Sequence, residues 1–218
     1  MEDILVIDKP TGMTSHDVVD VVRRRLGIRK VGHCGTLDPI ATGVLVLLLN
    51  KATKRSAEFS ASDKEYVCTM KLGISTSSHD LSGDITETGD ALKVSDDKIK
   101  EAIYSFKGEQ EQIPPMVSAK HHKGKRLYKL ARKGIEIERE PQIIDVKEIE
   151  ILKIDKPNAE LRILCSKGTY IRTLCHDIGK KLGCGAHMTA LRRTRSGDFH
   201  IKDAVKLNEV HEDTIRNK

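Results

Sequence analysis

Tryptophan is absent from the sequence, and phenylalanine and tyrosine bring the aromatic share of its 218 residues to only 3%. A binding surface built from many stacked aromatic rings is therefore excluded. Cysteines are also few: the sequence has five, an odd number, and no two of them form a Cys-x-x-Cys pair. A disulfide framework is therefore not expected, and we predict that the protein works in a reducing compartment.

Long apolar runs are missing as well. No stretch approaches the roughly 18 consecutive apolar residues that mark a membrane-spanning helix. The opening MEDILVIDKP has neither the basic start nor the apolar core of a secretory signal peptide. We therefore expect a soluble, cytoplasmic protein with no membrane partner. The length favours a single domain over residues 1–218, which could hold an inserted excursion at about 74–134.

Basic residues are in excess, and the formal net charge is +6. They are segregated from the acidic residues, which concentrate at 80–97 and 109–111. Because phosphate contacts supply most of the non-specific affinity for nucleic acids, this segregation favours a nucleic-acid partner. Any one cluster could instead be the solvated flank of a helix. The three clusters are Arg23, Arg24, Arg25, Arg29 and Lys30; the lysines and arginines at 120–133; and Arg192, Arg193 and Arg195.

Hydrophobic periodicity predicts an α+β fold with a mixed, largely antiparallel sheet and flanking helices. A continuous apolar run predicts a buried strand at 44–49, and alternation of apolar and polar residues predicts a strand at 66–72. Other strands are predicted at 4–7, 143–154, 161–165 and 190–195, and a polar loop at 74–93. Helices are predicted from an N-cap at Ser15 to Leu26, after Ser95, at about 126–133, and at 171–182 before Gly183.

The most unusual segment is GHCGTLDPIATG at 32–43, with three glycines in twelve residues. Such a composition predicts a loop whose backbone closely approaches another group. Asp38 lies in the middle of this segment and is followed by Pro39. One interpretation is structural, because Asp before Pro is a common helix start with Asp as the N-cap. The other is chemical, because a carboxylate fixed on a tight loop can act as a nucleophile or general base.

Five ordered blocks of the sequence resemble the TruB-type pseudouridine synthases, the bacterial enzymes that modify uridine 55 in the T-loop of tRNA. The resemblance covers roughly residues 3–200, and five blocks in matching order are far more specific than one short motif. It implies the pseudouridine synthase fold and a reaction that needs no cofactor and no metal. The blocks are KPTGMTS at 9–15, GHCGTLDPIATGVL at 32–45, KEYVCTMKLG at 64–73, IPPMVSAKHHKGKRLYKLARKG at 113–134 and CSKGTYIRTLCHDIGKKLGCGAHMTALRRT at 165–194.

The resemblance implies three catalytic residues. Asp38 matches the catalytic aspartate, and Arg172 matches the arginine that pairs with it. Tyr66 matches the tyrosine that stacks on the target uracil and is linked to proton removal. These residue types suit the chemistry, because a guanidinium holds a carboxylate ionised and an aromatic ring stacks on a flipped base. Each could also be structural: Tyr66 fits a buried strand position, for example.

Four further residues are expected at the substrate site. His33 matches a histidine near the flipped-out bases of the T-loop, and Lys9 belongs to a motif that supports the floor of the active site. Tyr170 and Leu191 match positions that line the uracil pocket. The expected partner is the T-arm of tRNA, with no obligate protein partner and a monomeric enzyme. The small C-terminal RNA-binding domain that is usual in the family is not expected here, because few residues follow the last block.

Three alternatives stay open at this point. The enzyme could act on another RNA, either an mRNA or a substrate selected by a guide RNA. The chain could instead be a catalytically idle module that binds or folds tRNA. A zinc site is a third alternative, because Cys175, His176, Cys184 and His187 lie close together in the sequence, although their spacing matches no standard zinc pattern.

Overall fold

The computed structural model describes residues 3–116 and 137–211, together with residues 118, 121, 122, 125, 126, 135 and 214. The chain divides into two compact units. We name them the terminal unit, formed by Met1–Val67 and Leu191–Lys218, and the central unit, formed by Cys68–Ala190. The prediction of a single domain with an insertion stays a prediction. The helix predicted at about 126–133 falls outside the described residues, apart from Arg126 in a short strand.

Strands form most of the regular structure. In chain order they are β1 (Ile4–Lys9), β2 (Val31–Cys34), β3 (Thr42–Leu49), β4 (Lys64–Leu72), β5 (Ile74–Thr76), β6 (Ile85–Thr88), β7 (Gly108–Gln112), β8 (His121–His122), β9 (Lys125–Arg126), β10 (Gln142–Asp155), β11 (Asn158–Cys165), β12 (Ala186–Ser196), β13 (Phe199–His200) and β14 (Val205–Lys206). The α-helices are α1 (Ser15–Leu26), α2 (Ser56–Ser60), α3 (Asp96–Tyr104) and α4 (Ile171–Leu182). Short 3-10 helices occupy Asn50–Arg55, Ala91–Lys93, Ile201–Asp203 and Leu207–Glu209.

The terminal unit is built around β3, whose residues from Gly43 to Leu49 lose nearly all contact with solvent. β1 runs antiparallel along one edge of β3, and β14 continues the sheet beyond β1. The other edge is shared, because β2 pairs antiparallel with the second half of β3 while β12 pairs in parallel with Thr42 and Gly43. The buried strand that the continuous apolar run at 44–49 predicts is therefore confirmed as β3, the central strand of this unit.

Helix α1 covers this unit and ends where the sequence predicts, at Leu26 with Gly27 in a left-handed conformation. Its start differs from the prediction. The N-cap is Thr14, whose hydroxyl accepts from the Asp17 amide at 3.1 Å while the Asp17 carboxylate accepts from the Thr14 amide at 2.8 Å. This reciprocal capping box satisfies two amides at once, and it leaves Ser15 buried and free for another role.

The central unit contains a second run of paired strands. Its part of β4 is followed in the sheet by β11, β10 and β7, and the β10–β11 and β10–β7 pairs are antiparallel. The strands predicted at 66–72, 143–154 and 161–165 are confirmed. The polar segment predicted as a loop instead contains the hairpin of β5 and β6. All four β6 side chains are exposed, so the strand gives no apolar signal in the sequence.

Helix α4 follows the prediction most closely. Ile171, Leu174, Cys175 and Ile178 are buried on one face, and Gly183 ends the helix with a left-handed φ of 72°. The observed fold is α+β with a mostly antiparallel sheet flanked by helices, as predicted. No helix in the described part of the chain has the length and apolar character that spanning a membrane would require.

Candidate active site

Asp38 lies on a loop between two paired strands of the terminal unit. The chain leaves β2 at Cys34, forms a loop over residues 35–41, which we name the Asp38 loop, and returns as β3. Asp38 and Ala41 close a turn, in which the Ala41 amide donates to the Asp38 carbonyl at 3.0 Å. No helix follows Pro39, so the interpretation of Asp38 as a helix N-cap is wrong. The proline occupies the second position of a turn, which suits its fixed φ.

The motif at 9–15 holds this loop. The buried ammonium of Lys9 donates to the carbonyl oxygens of Ala41 at 2.7 Å and Pro39 at 3.4 Å. The Gly12 amide donates to the Pro39 carbonyl at 2.8 Å. The Ser15 hydroxyl accepts from the Leu37 amide at 2.8 Å. The first two sequence blocks are therefore one structural device, in which one segment fixes the backbone of the other around Asp38.

Burial makes the Lys9 ammonium an unusual group. Its desolvation lowers the pKa of Lys9 to about 8, an effect that the nearby Asp38 carboxylate opposes and the Arg193 guanidinium reinforces. Lys9 is thus close enough to Asp38 to respond to its charge. Lys9 is fully buried, and its ammonium donates to the Pro10 carbonyl as well as to the two carbonyls of the loop.

Arg193 is a residue at this site that the sequence reasoning did not single out. Its side chain is buried, with Nε donating to the Val44 carbonyl at 2.7 Å and Nη2 donating to the Gly35 carbonyl at 3.0 Å. Its backbone pairs with Gly43, where a Cβ would lie 2.2 Å from the Arg193 oxygen. The available signal was the position of Arg193 in the last sequence block, which the basic-cluster interpretation treated only as a source of surface charge.

Three other predicted residues lie in the terminal unit. His33 is a half-buried residue of β2. Tyr66 is buried in the first half of β4, on the buried side of its alternation. Leu191 is buried in β12, directly before the residues that pair with β3. Five of the seven predicted site residues therefore belong to this unit.

Arg172 belongs to the central unit, at the first turn of α4. Its Nη1 lies 3.4 Å from the Oδ2 atom of Asp80, and both side chains are only 3% exposed. Asp80 also accepts from the Ser78 hydroxyl at 2.6 Å and the Ser82 amide at 2.9 Å. Burial alone would raise the pKa of Asp80, but these hydrogen bonds and the Arg172 charge bring it below its usual value. Asp80 is thus an ionised partner of Arg172. It lies outside the five sequence blocks, so the sequence did not predict it as a site residue.

Tyr170 lies two residues before Arg172 and caps α4. Gln112 fixes its backbone twice: the Gln112 amide nitrogen donates to the Tyr170 carbonyl at 3.0 Å, and the Gln112 oxygen accepts from the Tyr170 amide at 2.8 Å. The Tyr170 ring centroid lies 5.9 Å from the Arg172 guanidinium carbon. The structure therefore brings Tyr170 and Arg172 together in one unit, while the pairing of Arg172 with Asp38 stays a prediction.

The residues of the zinc hypothesis have other partners. A hydrogen bond with Cys68 and complete burial raise the pKa of the Cys175 thiol well above its usual value, which disfavours the thiolate that zinc requires. His187 donates from Nδ1 to the Ile74 carbonyl at 2.8 Å. His176 stacks on His79, with ring centroids 4.0 Å apart. Within residues 3–116 and 137–211, His, Cys, Asp and Glu side chains do not gather into a group of metal-site size.

Comparison with known proteins connects this site to one family. Residues 23–171 match the model of the N-terminal domain of the TruB family pseudouridylate synthases, and residues 172–218 match that of the tRNA pseudouridylate synthase B C-terminal domain. The tRNA pseudouridine synthase B of Syntrophotalea carbinolica is 48% identical over 96% of this chain and 69% of its own length. That of Protochlamydia amoebophila is 47% identical over the whole chain and 82% of its own length.

The chain is also similar to proteins of known structure. The chain superposes with a TM-score of 0.74 on a protein from the crystal structure of a Cbf5–Nop10–Gar1 complex, at 36% identity over 94% of this chain. It spans about half of that solved chain, 52% of its length. A chain from a structure of an H/ACA RNP bound to a substrate RNA containing 2′-deoxyuridine is similar, with a TM-score of 0.71 and 34% identity.

Proposed function

Because the chain belongs to the TruB family of pseudouridylate synthases, we propose that it converts uridine to pseudouridine in the T-loop of tRNA, at position 55. One observation carries the proposal: the two N-terminal motifs of the family converge on a single carboxylate. Lys9, Gly12 and Ser15 hold the backbone of the loop that presents Asp38. A carboxylate fixed in this way is what an aspartate-dependent rearrangement needs.

The proposed reaction conserves every atom of the nucleotide. The C1′–N1 bond breaks, the uracil turns within the site, and a C1′–C5 bond forms. C5 then loses its proton and N1 gains one. Atoms and electrons therefore balance without a redox cofactor or a metal. Asp38 would attack the nucleotide or stabilise the sugar cation and then assist the proton transfers. The target base must first leave its stack, as for other enzymes that act on a nucleobase.

The other predicted residues serve this centre. Tyr66 would stack on the uracil, a contact worth about 1–3 kcal/mol for a base. Arg172 would orient Asp38, with its own position fixed by Asp80. His33, Tyr170 and Leu191 would contact the flipped nucleotide, and Lys9 would support the site by binding the backbone of the loop. The relation of Arg172 to Asp38 is carried here by the family resemblance alone.

A tritium-release assay tests the proposal. Purified protein is incubated with a tRNA transcript labelled at C5 of uridine, and the modified position is mapped afterwards. We expect one pseudouridine, at position 55, and a loss of at least about 10³-fold in rate for Asp38→Asn, which keeps the shape but not the nucleophile. A transcript with cytidine at position 55 is the matched control. Release by Asp38→Asn at the wild-type rate would refute the assignment of Asp38.

A guide-dependent reaction is the second candidate. It is favoured by the likeness to a chain of the Cbf5–Nop10–Gar1 complex and to a chain of the H/ACA RNP bound to a substrate RNA, at 36% and 34% identity. The relatives called tRNA pseudouridine synthase B are closer in sequence, at 47–48% identity for the two compared above, and favour a tRNA substrate. Turnover of a bare tRNA transcript, without guide RNA or protein partner, would exclude the guide-dependent alternative.

We also propose that residues 1–218 work as one catalytic domain, as a cytoplasmic monomer without an obligate protein partner. The five cysteines are all free and buried, which suits a reducing compartment. Light scattering of the purified protein measures the oligomeric state directly, and a monomer would give a mass near 24.3 kDa. A tRNA-binding protein that never turns over its substrate would fail the tritium assay while still retaining tRNA.

A further inference from the structure

We propose that Arg193 is a positioning residue for the reaction, because its buried guanidinium joins Gly35, the first residue of the Asp38 loop, to Val44 in the strand that follows the loop. The inference rests on the proposed function and adds to it a residue outside the predicted set. The two carbonyls that Arg193 binds belong to Gly35, directly after β2, and Val44, two residues into β3. Asp38 lies between them in sequence.

The sheet explains why an arginine is needed here. β2 and β3 pair as far as Cys34 and Val46, and the loop then separates them. β12 occupies the edge of β3 that the loop leaves, through Arg192 and Arg193 opposite Thr42 and Gly43. A long side chain with several donors, extending from β12 at this point, can reach both strands of the opened hairpin.

The glycines on each side show how closely Arg193 fits. Gly43 has a φ of +100°, and a Cβ there would meet the Arg193 backbone oxygen at 2.2 Å. Gly35 has a φ of +83°, and a Cβ there would lie 3.3 Å from Nη1 of Arg193. Both glycines therefore admit Arg193 into the space between the strands.

The burial of Arg193 indicates that it positions the loop and does not bind the substrate. Arg193 is 1% exposed, so the side chain has no surface with which to contact RNA. Among the described residues it makes hydrogen bonds to two carbonyls and no salt bridge, an expensive state for a buried cation. Lys9 binds the middle of the same loop, at Pro39 and Ala41. The two buried cations thus fix complementary parts of one short segment.

The test compares Arg193→Met, which keeps an unbranched apolar side chain but removes every side-chain donor, with Arg193→Lys and with the control Val22→Ala. Val22 is a fully buried residue of α1 whose apolar side chain cannot donate a hydrogen bond to the loop, so its variant measures the effect of lost stability. Single-turnover tritium release from the tRNA transcript gives the chemical rate and the half-saturating RNA concentration. Measurements are made well below the melting temperature of each variant.

We expect Arg193→Met to lower the chemical rate by about 10²-fold, because misplacement of a reacting group by about 1 Å has an effect of this size. The half-saturating concentration should stay within about threefold of wild type, because Arg193 does not reach the RNA. Arg193→Lys should recover part of the rate, because it keeps the charge and some donors. A wild-type rate in Arg193→Met would overturn the inference, and so would a loss of rate in Val22→Ala as large as that in Arg193→Met.

Amide hydrogen exchange tests the role of Arg193 without measuring catalysis. We expect exchange at residues 36–42 to rise by about 10²-fold in Arg193→Met and to stay at the wild-type level in Val22→Ala, because only the first variant loses charged hydrogen bonds to the loop. Unchanged exchange in this segment would also overturn the inference. If the wild-type protein releases no tritium but exchange at residues 36–42 still rises in Arg193→Met, the proposed function is refuted, while the role of Arg193 in holding the Asp38 loop is retained.

Discussion

A buried acid that lies outside the recognised motifs controls the environment of Arg172. The segment Ser78-His79-Asp80-Leu81-Ser82 folds back on itself, so that serines on both sides donate to one carboxylate. Short polar residues at alternate positions favour such local turns, and this was the one signal in the sequence. That the charge faces Arg172, 92 residues later, follows only from the fold.

Asp80→Asn should destabilise the protein strongly. The substitution keeps an oxygen for the Ser82 amide but removes the negative charge that faces the buried Arg172 guanidinium, a loss of about 3 kcal/mol. Urea unfolding at pH 7 measures the change in the free energy of unfolding. Asp90→Asn is a matched control, because Asp90 also accepts from the amide two residues on, at 3.0 Å, but is exposed. Equal effects of the two substitutions would contradict the argument.

At the scale of elements, the sequence predicts what an apolar pattern specifies and misses what a polar contact specifies. β3, β4 and α4 follow from runs, alternation and helical spacing. The hairpin of β5 and β6 does not, because β6 has no buried side chain. The start of α1 was misplaced by one residue, since Thr14 and Ser15 are chemically equivalent caps. Asp17, three residues after Thr14, completes a capping box with Thr14, and the Ser15 hydroxyl instead accepts from the Leu37 amide.

The junction of β3 with β12 should tolerate no side chain at position 43. In Gly43→Ala the new methyl group would overlap the Arg193 backbone, and we expect loss of soluble protein or a large fall in melting temperature. Gly27→Ala is the control, because Gly27 also has a positive φ, +62°, but nothing lies within 4 Å of its Cβ position. This control should lose only about 1 kcal/mol, from backbone strain. Similar melting temperatures for both variants would show that the close approach is unimportant.

At the scale of the whole molecule, net charge is a poor guide to where RNA binds. Two arginines from the basic clusters are already paired, Arg23 with Asp20 at 2.6 Å and Arg192 with Asp8 at 2.8 Å. Arg193 is buried against backbone carbonyls. The sequence thus overstates the positive charge available to phosphates. The roles of the site residues that the motifs mark stay predictions, but the two N-terminal motifs do meet in the fold, because Lys9 and Ser15 bind the backbone of the Asp38 loop.

Stability as a function of pH combines opposing contributions from the central unit. Burial, followed by the neighbouring charges of His176 and Arg172, lowers the pKa of His79 to about 3 from 6.5. Below pH 6.5 the unfolded chain binds a proton that folded His79 does not, so the fold loses stability as the pH falls. Burial raises the pKa of Asp177 to about 6 from 3.8, which has the opposite sign. Between pH 3.8 and 6, the folded Asp177 carboxyl holds more of its proton, and stability falls as the pH rises.

Two substitutions should therefore change the pH profile of unfolding in opposite directions. His79→Asn, which suits the left-handed φ of 64°, removes a gain of at most about 2 kcal/mol between pH 5 and 7. Its profile should be flatter than that of wild type. Asp177→Asn removes the opposing contribution, so the rise from pH 4 to 6 should become steeper. Urea unfolding at several pH values measures the free energy of unfolding of wild type and both variants. Parallel pH profiles for the three proteins would contradict the pKa shifts of both His79 and Asp177.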